Sequence, residues 1–339
     1  MALNIALFIA GLVLAAMVLK DVFETVVVPG GSRASLKVAH RLVVVLLPIW
    51  KQLRGRRRGL STAFAPLVLV SCFFIWMASL AIGFGLMGYA VRADFQPPLK
   101  SFGDAAYLVG SSLVTVGLSH ANPVGFGRWV ILSAGFCGLA VMTMAVTYLL
   151  EVQSSIARRD IGIIKLNTSA GQPPSALTLL QRYSALRNQG ALRGVLEESR
   201  DWCATVRQSH SSHPSLIYFQ SIGTGAGWPA ALGALLDLGL IAEHLIDDEA
   251  LFGPAVLLRE EGARMARELA LMINLTPTKA STATADLQQL FARLSESGYP
   301  VRKDANFEAM AEQRGEHMSC VDALAQHLGK PTTVLVRQS

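Results

Sequence analysis

The first half of the chain alternates between long uncharged segments and short charged ones. No charged side chain occurs from Gly59 to Val91 or from Trp129 to Leu150. Each of these segments exceeds the ~20 residues that an α-helix needs to cross ~30 Å of hydrocarbon. The pattern therefore predicts two transmembrane helices, at residues 61–91 and 129–151, within a module that covers residues 59–152.

A third uncharged segment opens the chain. Residues 1–19 carry no charged side chain, and Lys20 and Asp21 follow at once. A secretory signal peptide is the competing interpretation, but its first residues should carry positive charge, which this segment lacks. The pattern favours a retained N-terminal transmembrane helix.

The loop from residue 20 to residue 58 is rich in lysine and arginine, and Asp21 and Glu24 are its only acidic residues. By the positive-inside rule this loop is cytoplasmic, which leaves the N-terminus outside and the C-terminal half of the chain in the cytoplasm. An interfacial helix is expected at about residues 35–53. Anionic lipid headgroups account for the net charge of +6, so the charge does not indicate nucleic-acid binding.

The segment between the two long spans has the layout of a re-entrant loop. Ser101 and Asp104 have the spacing of a capping box, which predicts the start of a helix. A helix over residues 104–114 would be ~16 Å long, about half the thickness of a bilayer. The five residues 115–119 then turn back. Non-helical backbone at membrane depth is tolerated where it lines a water-filled cavity.

Thr115, Val116, Gly117, Leu118 and Ser119 resemble the T-V-G-Y-G selectivity filter of potassium channels. Residues 63–152 are similar to the bacterial two-transmembrane pore-loop potassium channel family, with an extra N-terminal helix. The resemblance implies that the carbonyls of the first three residues replace the hydration shell of a potassium ion. A ring of such carbonyls needs four pore loops, so the resemblance also implies a homotetramer in the lipid bilayer.

This filter departs from the family pattern after its first glycine. Leu118 stands where tyrosine is usual, and Ser119 replaces the second glycine. The second glycine position requires a left-handed backbone, which costs a non-glycine residue ~1–2 kcal/mol. A relaxed, non-selective filter is therefore an alternative to a potassium-selective one.

Four further residues are candidates for the outer mouth, the gate and the inner mouth. His120 replaces the acid at the outer mouth, where a ring of imidazoles could respond to pH, although a solvated loop histidine explains it equally well. Gly135 or Gly138 could provide the bend that the family uses for gating, and close helix packing is the alternative. Glu151 would form an acidic ring at the inner mouth, or a solvated interfacial carboxylate.

The second half of the chain is more polar. Residues 153–174 are expected to be a linker that ends in Gly171-Gln172-Pro173-Pro174, and residues 175–339 a helical cytoplasmic domain. Helical periodicity covers about 175–189, 191–208, 228–246, 254–274, 283–296 and 305–328, and a short strand is expected at 332–336.

Three motifs in this half could be mistaken for binding sites. Gly223–Gly227 lacks the flanking pattern of a nucleotide loop. His210 and His213 could bind a metal together with a third ligand, but a loop before Pro214 explains them better. Asp247–Glu249 lacks the alternating ligands of a calcium loop and is better explained as a charged helix start.

The sequence thus predicts an all-α membrane protein with no catalytic residues, metal site or cofactor. Its function is expected to be passive cation conduction, with potassium as the permeant ion, in a bacterial inner membrane. The alternatives are a non-selective cation channel and a non-conducting sensor or scaffold that signals through the helical domain.

Overall fold

The computed structural model describes residues 1–27, 41–42, 45–46, 48, 50, 64–118, 120–219, 223–278 and 281–336. Most of the expected interfacial helix and most of the basic loop lie outside these residues. The chain divides into two compact units, Met1–Val152 and Gln153–Ser339. Three helices are long and apolar enough to cross a membrane: Ala2–Val26, Phe64–Ala90 and Gly127–Ala170. The expectation of an all-α membrane fold is confirmed.

The first unit contains α1 (Ala2–Val26), α2 (Phe64–Ala90), α3 (Phe102–Leu113) and the first part of α4 (Gly127–Ala170). Two short strands, β1 (Phe95–Gln96) and β2 (Asn122–Pro123), pair antiparallel. Helix α1 is longer than the predicted segment 1–19, because its apolar face continues to Val22, which is buried.

Helix α1 packs closely against α2. A Cβ atom at position 11 would lie 2.9 Å from Met87 Cγ and closer still to the Gly83 carbonyl oxygen. The absence of a side chain at Gly11 therefore allows the backbones of α1 and α2 to approach each other. Trp76 Nε1 donates a 2.8 Å hydrogen bond to the buried carboxylate of Asp21. The sequence did not reveal this bond, because nothing local links residues that are 55 positions apart.

The second unit is a bundle of helices. After the C-terminal part of α4 come α5 (Ala176–Ala185), α6 (Leu192–Ser212), α7 (Trp228–His244), α8 (Glu249–Met272), α9 (Thr284–Glu296) and α10 (Phe307–Leu328). Helix α7 lies at the centre, since nearly all of its side chains are buried. Arg314 on α10 forms a two-pronged ion pair with the buried Asp237 of α7, at 2.7 and 3.0 Å.

Two expectations for this half of the chain are corrected. Residues 332–336 form no strand, although Val334 and Val336 alternate with other residues as in a strand. Residues 153–170, expected to be part of a linker, continue α4 as a helix. The helix forms because residues at helical spacing pack into the second unit: Ser155, Arg159, Ile163, Leu166 and Ala170. Arg159 hid this periodicity, because a buried arginine interrupts the apolar pattern.

Candidate pore loop and selectivity filter

The re-entrant segment leaves and returns to the same place in the fold. Strand β1 precedes it and β2 follows it, with Phe95 opposite Pro123 and Gln96 opposite Asn122. The Val124 amide also donates to the Asp94 carbonyl at 2.9 Å. The two ends of the segment are therefore tied together. A loop that enters a membrane and comes out on the same side needs this arrangement.

Helix α3 begins at a complete capping box. Ser101 Oγ accepts a hydrogen bond from the Asp104 amide at 3.1 Å, and Asp104 Oδ2 accepts one from the Ser101 amide at 3.0 Å. These bonds satisfy main-chain donors at a helix start. The helix runs from Phe102 to Leu113, whereas the sequence placed it at 104–114. Its length is ~18 Å at ~1.5 Å per residue, about half a bilayer.

Helix α3 packs closely against α2 at small residues of α2. A side chain at Gly85 would lie 3.2 Å from the Ala106 Cα, and one at Gly88 would lie 3.0 Å from Val109 Cγ2. The inward face of α3 is fully buried at Ala105, Leu108, Val109 and Leu113. The direction of the short helix, and with it the position of its C-terminal end, is therefore set by packing against α2.

The C-terminal end of α3 is a Schellman motif with an unusual residue. The Thr115 amide donates to the Ser112 carbonyl at 3.0 Å and the Val116 amide donates to the Ser111 carbonyl at 2.8 Å. Thr115 occupies the left-handed position of this motif, with φ of 60°. Glycine is the usual residue there, and a β-branched residue in that conformation is a genuine outlier. Thr115 is therefore a strained position that the sequence did not indicate, and Ser119, where strain was expected, lies outside the described residues.

Among the residues that the structure describes, two backbone amides of the candidate filter are hydrogen-bonded within the loop, whereas the first three carbonyls are not. The Val116 and Gly117 amides both donate to the Ser111 carbonyl, at 2.8 and 3.1 Å. Within the described part of the chain, no hydrogen-bond donor reaches the carbonyls of Thr115, Val116 or Gly117. An unpaired carbonyl at membrane depth is costly. These three oxygens can be satisfied by water or by a cation.

Leu118 differs from the three residues before it. Its carbonyl accepts a 2.7 Å hydrogen bond from Ser111 Oγ, which also lies 2.8 Å from the Leu108 carbonyl. Ser111 is buried, and both its carbonyl and its hydroxyl contact the filter. The sequence did not single out this serine, because the signal is its position one turn before the helix end rather than any motif.

All the predicted filter residues that the structure describes are exposed in the single chain. Val116 and Leu118 retain 60% and 55% of their accessible surface. A side chain at Gly117, where φ is 71°, would meet no atom within 4 Å. His120, the candidate for the outer mouth, is exposed as well. This surface of the loop therefore has no covering element among the described residues of its own chain.

The two glycine candidates for the gate have different surroundings. A side chain at Gly138 would lie 2.6 Å from the carbonyl carbon of Leu113 and 2.9 Å from its Cα. One at Gly135 would lie 3.5 Å from the Ser112 carbonyl oxygen, an ordinary contact. Gly138 therefore lets α4 touch the last turn of α3. Close packing accounts for a glycine at position 138, whereas a side chain at position 135 would be accommodated.

Below these glycines, α4 carries a line of polar residues on an exposed face. Thr143, Thr147 and Glu151 follow at four-residue spacing, and all three are exposed. The Thr143 hydroxyl donates to the Leu139 carbonyl at 2.8 Å, and that of Thr147 to the Thr143 carbonyl at 2.9 Å. Each hydroxyl keeps its acceptor lone pairs available. Such a line on an otherwise apolar helix is suited to a water-filled cavity.

Two of the candidate motifs in the second unit have a structural place in its helices. His210 lies within α6, which continues to Ser212, so most of the loop expected before Pro214 is helix. His210 is buried, and its Nδ1 pairs with the Val206 carbonyl at 2.8 Å. Among the described residues, no group of three or more potential ligands could hold a metal ion. Asp248 caps α8 by accepting from the Ala250 amide at 2.9 Å, as a charged helix start requires.

Comparison with known proteins concerns the pore segment. Residues 67–154, about a quarter of the chain, match the family model described as "Ion channel". The match supports a membrane ion channel. Protein LctB of Geobacillus stearothermophilus is 27% identical over 84 residues, which cover 21% of this chain and 63% of that protein. The chain therefore spans less than two thirds of this relative's length. No solved structure matches the chain.

Proposed function

We propose that this protein is a homotetrameric cation channel that conducts potassium passively through the backbone carbonyls of its filter. The single observation that carries the proposal is the orientation of the filter backbone. The Val116 and Gly117 amides donate to the Ser111 carbonyl, whereas the carbonyls of Thr115, Val116 and Gly117 have no donor among the described residues. Four such loops around one axis would give rings of oxygen ligands that compensate a cation for its lost water.

The helix behind the filter supports the same function. The C-terminal end of α3 carries the negative end of the helix dipole, and Thr115 follows that end directly. Four α3 helices would point these ends at the ion path and favour a cation there. Below the filter, the hydroxyls of Thr143 and Thr147 would face the cavity, and Glu151 would concentrate cations at the inner mouth.

The orientation in the membrane belongs to the same proposal. The basic loop at residues 20–58 supports a cytoplasmic location for that loop and for the helical domain, with the N-terminus and His120 outside. We place the channel in a bacterial inner membrane. Potassium is the permeant species, and the proposal needs no cofactor.

A non-selective channel is the second candidate, and one observation favours it. The Leu118 carbonyl is bonded to the Ser111 hydroxyl rather than left free. The outer end of the filter would then offer fewer oxygen ligands than a full potassium filter. Fewer ligands compensate the dehydration of potassium less completely, and discrimination against sodium would fall.

Potassium and sodium flux in proteoliposomes tests both candidates. The variants are Gly117→Ala, which puts a side chain at a left-handed position, and Ser119→Gly, which restores the glycine of the family pattern. Potassium-selective flux that Gly117→Ala abolishes would support the selective channel. Equal sodium flux in the wild type that becomes selective in Ser119→Gly would support the relaxed filter. Absence of flux in all three proteins would refute both and favour a non-conducting sensor.

A further inference from the structure

The second unit contains a cavity between four of its helices. The cavity has a volume of about 90 Å³ and is lined by residues of α5, α6, α7 and the C-terminal part of α4. All of its walls belong to the second unit. A small molecule held there would therefore contact four helices of the helical domain at once.

The inner wall of the cavity is apolar. Three buried leucines line it: Leu166, Leu179 and Leu235. Trp202 closes one side, because a Cβ atom at Gly162 would lie 2.9 Å from Trp202 Cγ and closer still to Cδ1, so the indole lies directly on the backbone of α4. Trp202 Nε1 donates to the Arg159 carbonyl at 2.9 Å, which fixes the ring. The apolar part of the cavity is thus preformed, as in most small-molecule sites.

Three hydroxyl groups line the cavity and have no hydrogen-bond partner among the described residues: those of Ser169, Tyr183 and Ser199. Ser199 is the most informative, since only 9% of its surface is exposed. Its hydroxyl does not bond back to its own helix, unlike that of Ser209 on α6, which donates to the Val206 carbonyl at 3.0 Å. A buried hydroxyl without a partner is costly. A ligand with polar groups would supply the missing bonds.

One positive and one negative side chain stand at the open side of the cavity. Lys165 of α4 and Glu198 of α6 both line it and pair with each other, and their side chains are 63% and 65% exposed. An exposed ion pair contributes little to stability, so its members can exchange partners. A ligand that carries one negative and one positive group could take over both charges without leaving either unpaired.

The size of the cavity limits the apolar part of such a ligand. A cavity of ~150 Å³ lined by apolar side chains accepts a benzene ring. This cavity is smaller, at about 90 Å³. A short branched aliphatic chain fits this volume, whereas an aromatic ring does not.

We propose that this cavity binds an aliphatic α-amino acid of the size of valine or leucine. Its side chain would lie among the three leucines beside Trp202. Its carboxylate would pair with Lys165 and its ammonium group with Glu198, and the three hydroxyls would complete the hydrogen bonds of both groups. The site lies in the second unit alone, so the proposal does not depend on ion conduction by the first.

Isothermal titration calorimetry of the full-length protein in detergent, with L-leucine and L-valine, tests the site. Isocaproate and isoamylamine are the matched ligands, because each keeps the leucine side chain but only one of the two charges. Leucine should bind about tenfold more tightly than either, since each lacks one charge-assisted bond. Phenylalanine should bind more weakly than leucine. Equal binding of leucine and the two analogues, tighter binding of phenylalanine, or no binding of either aliphatic amino acid at millimolar concentration would overturn the proposal.

Variants at the open side locate the bound amino acid. Lys165→Met and Glu198→Gln each remove one charge from the cavity. Arg193→Met and Glu197→Gln are the matched controls, because this ion pair on α6 is 61% and 54% exposed and does not line the cavity. Each cavity variant should weaken leucine binding about tenfold, and the controls should change it less than twofold. The melting temperature without leucine checks that each variant is folded. Cavity variants that are folded and bind leucine as tightly as the wild type would overturn the proposal.

Discussion

Replacing Gly138 with alanine tests how the second span packs on the pore helix. The new Cβ would lie 2.6 Å from the Leu113 carbonyl carbon and 2.9 Å from its Cα. These distances are well below an ordinary van der Waals separation, and Leu113 backbone cannot rotate away as a flexible side chain would. Overpacking of this kind costs ~1–3 kcal/mol and occasionally more. Alanine recovers up to ~1 kcal/mol through its better helix propensity. We expect a net loss of stability.

Gly135→Ala is the matched control on the same helix. Its Cβ would lie 3.5 Å from the Ser112 carbonyl oxygen, so it gains the propensity of alanine without a clash. The two variants should therefore differ by about 1–3 kcal/mol, with Gly138→Ala the less stable. Thermal unfolding of the full-length protein in detergent measures the order, and potassium flux in proteoliposomes measures the effect on the pore.

The result also decides which glycine could bend. If Gly138→Ala is as stable as the wild type and conducts normally, the contact between α4 and Leu113 is not as described, and the reasoning fails. If stability is unchanged but flux falls, Gly138 acts as a hinge rather than a packing residue. Reduced flux in Gly135→Ala, without loss of stability, would identify Gly135 as the bend.

Three other predictions follow from single contacts. Thr115→Gly should raise the free energy of unfolding by about 1 kcal/mol, because it removes the cost of a left-handed threonine. It should also lower the potassium-to-sodium flux ratio. A less stable variant would contradict the inference that Thr115 is strained. Trp76→Phe removes the donor to Asp21 and should cost ~1.5–3 kcal/mol in thermal unfolding, whereas an unchanged melting temperature would show that the bond contributes nothing. Burial lowers the pKa of His317 to about 4 and that of His210 to about 3. Both stay neutral in the fold while the unfolded chain gains protons below its pKa near 6.5, so stability falls as the pH drops from 6.5 toward 4. Each histidine should therefore lower the free energy of unfolding by ~2 kcal/mol at pH 5. Hydrogen exchange of the helical domain at pH 7 and pH 5 measures this loss, and equal protection factors at the two pH values would refute it.

The local order of elements around the filter could be predicted from the sequence. Uncharged stretches of more than twenty residues are long enough to cross a membrane as helices. Ser101 and Asp104 mark a helix start through hydrogen bonds between residues close in the chain. The all-α fold follows from the same short-range rules. These features depend on composition and spacing, which a single chain displays directly.

Features that depend on contacts between residues distant in the chain could not be predicted from the sequence, and only the tertiary structure shows them. The strain at Thr115 could not be read from the sequence, since only the folded α3 fixes where its last turn ends and which residue takes the left-handed position of the Schellman motif. The two glycines of α4 look alike in sequence, and only the approach of Leu113 distinguishes them.

The C-terminal half of α4 shows the same division most clearly. A buried arginine broke the apolar pattern, so residues 153–170 were expected to form a linker, and their two faces emerged only when one was seen packed within the second unit. Ile163 is buried whereas Ile161 and Ile164 are exposed. The sequence could not distinguish them, because it records which residues are apolar but not which of them the fold covers.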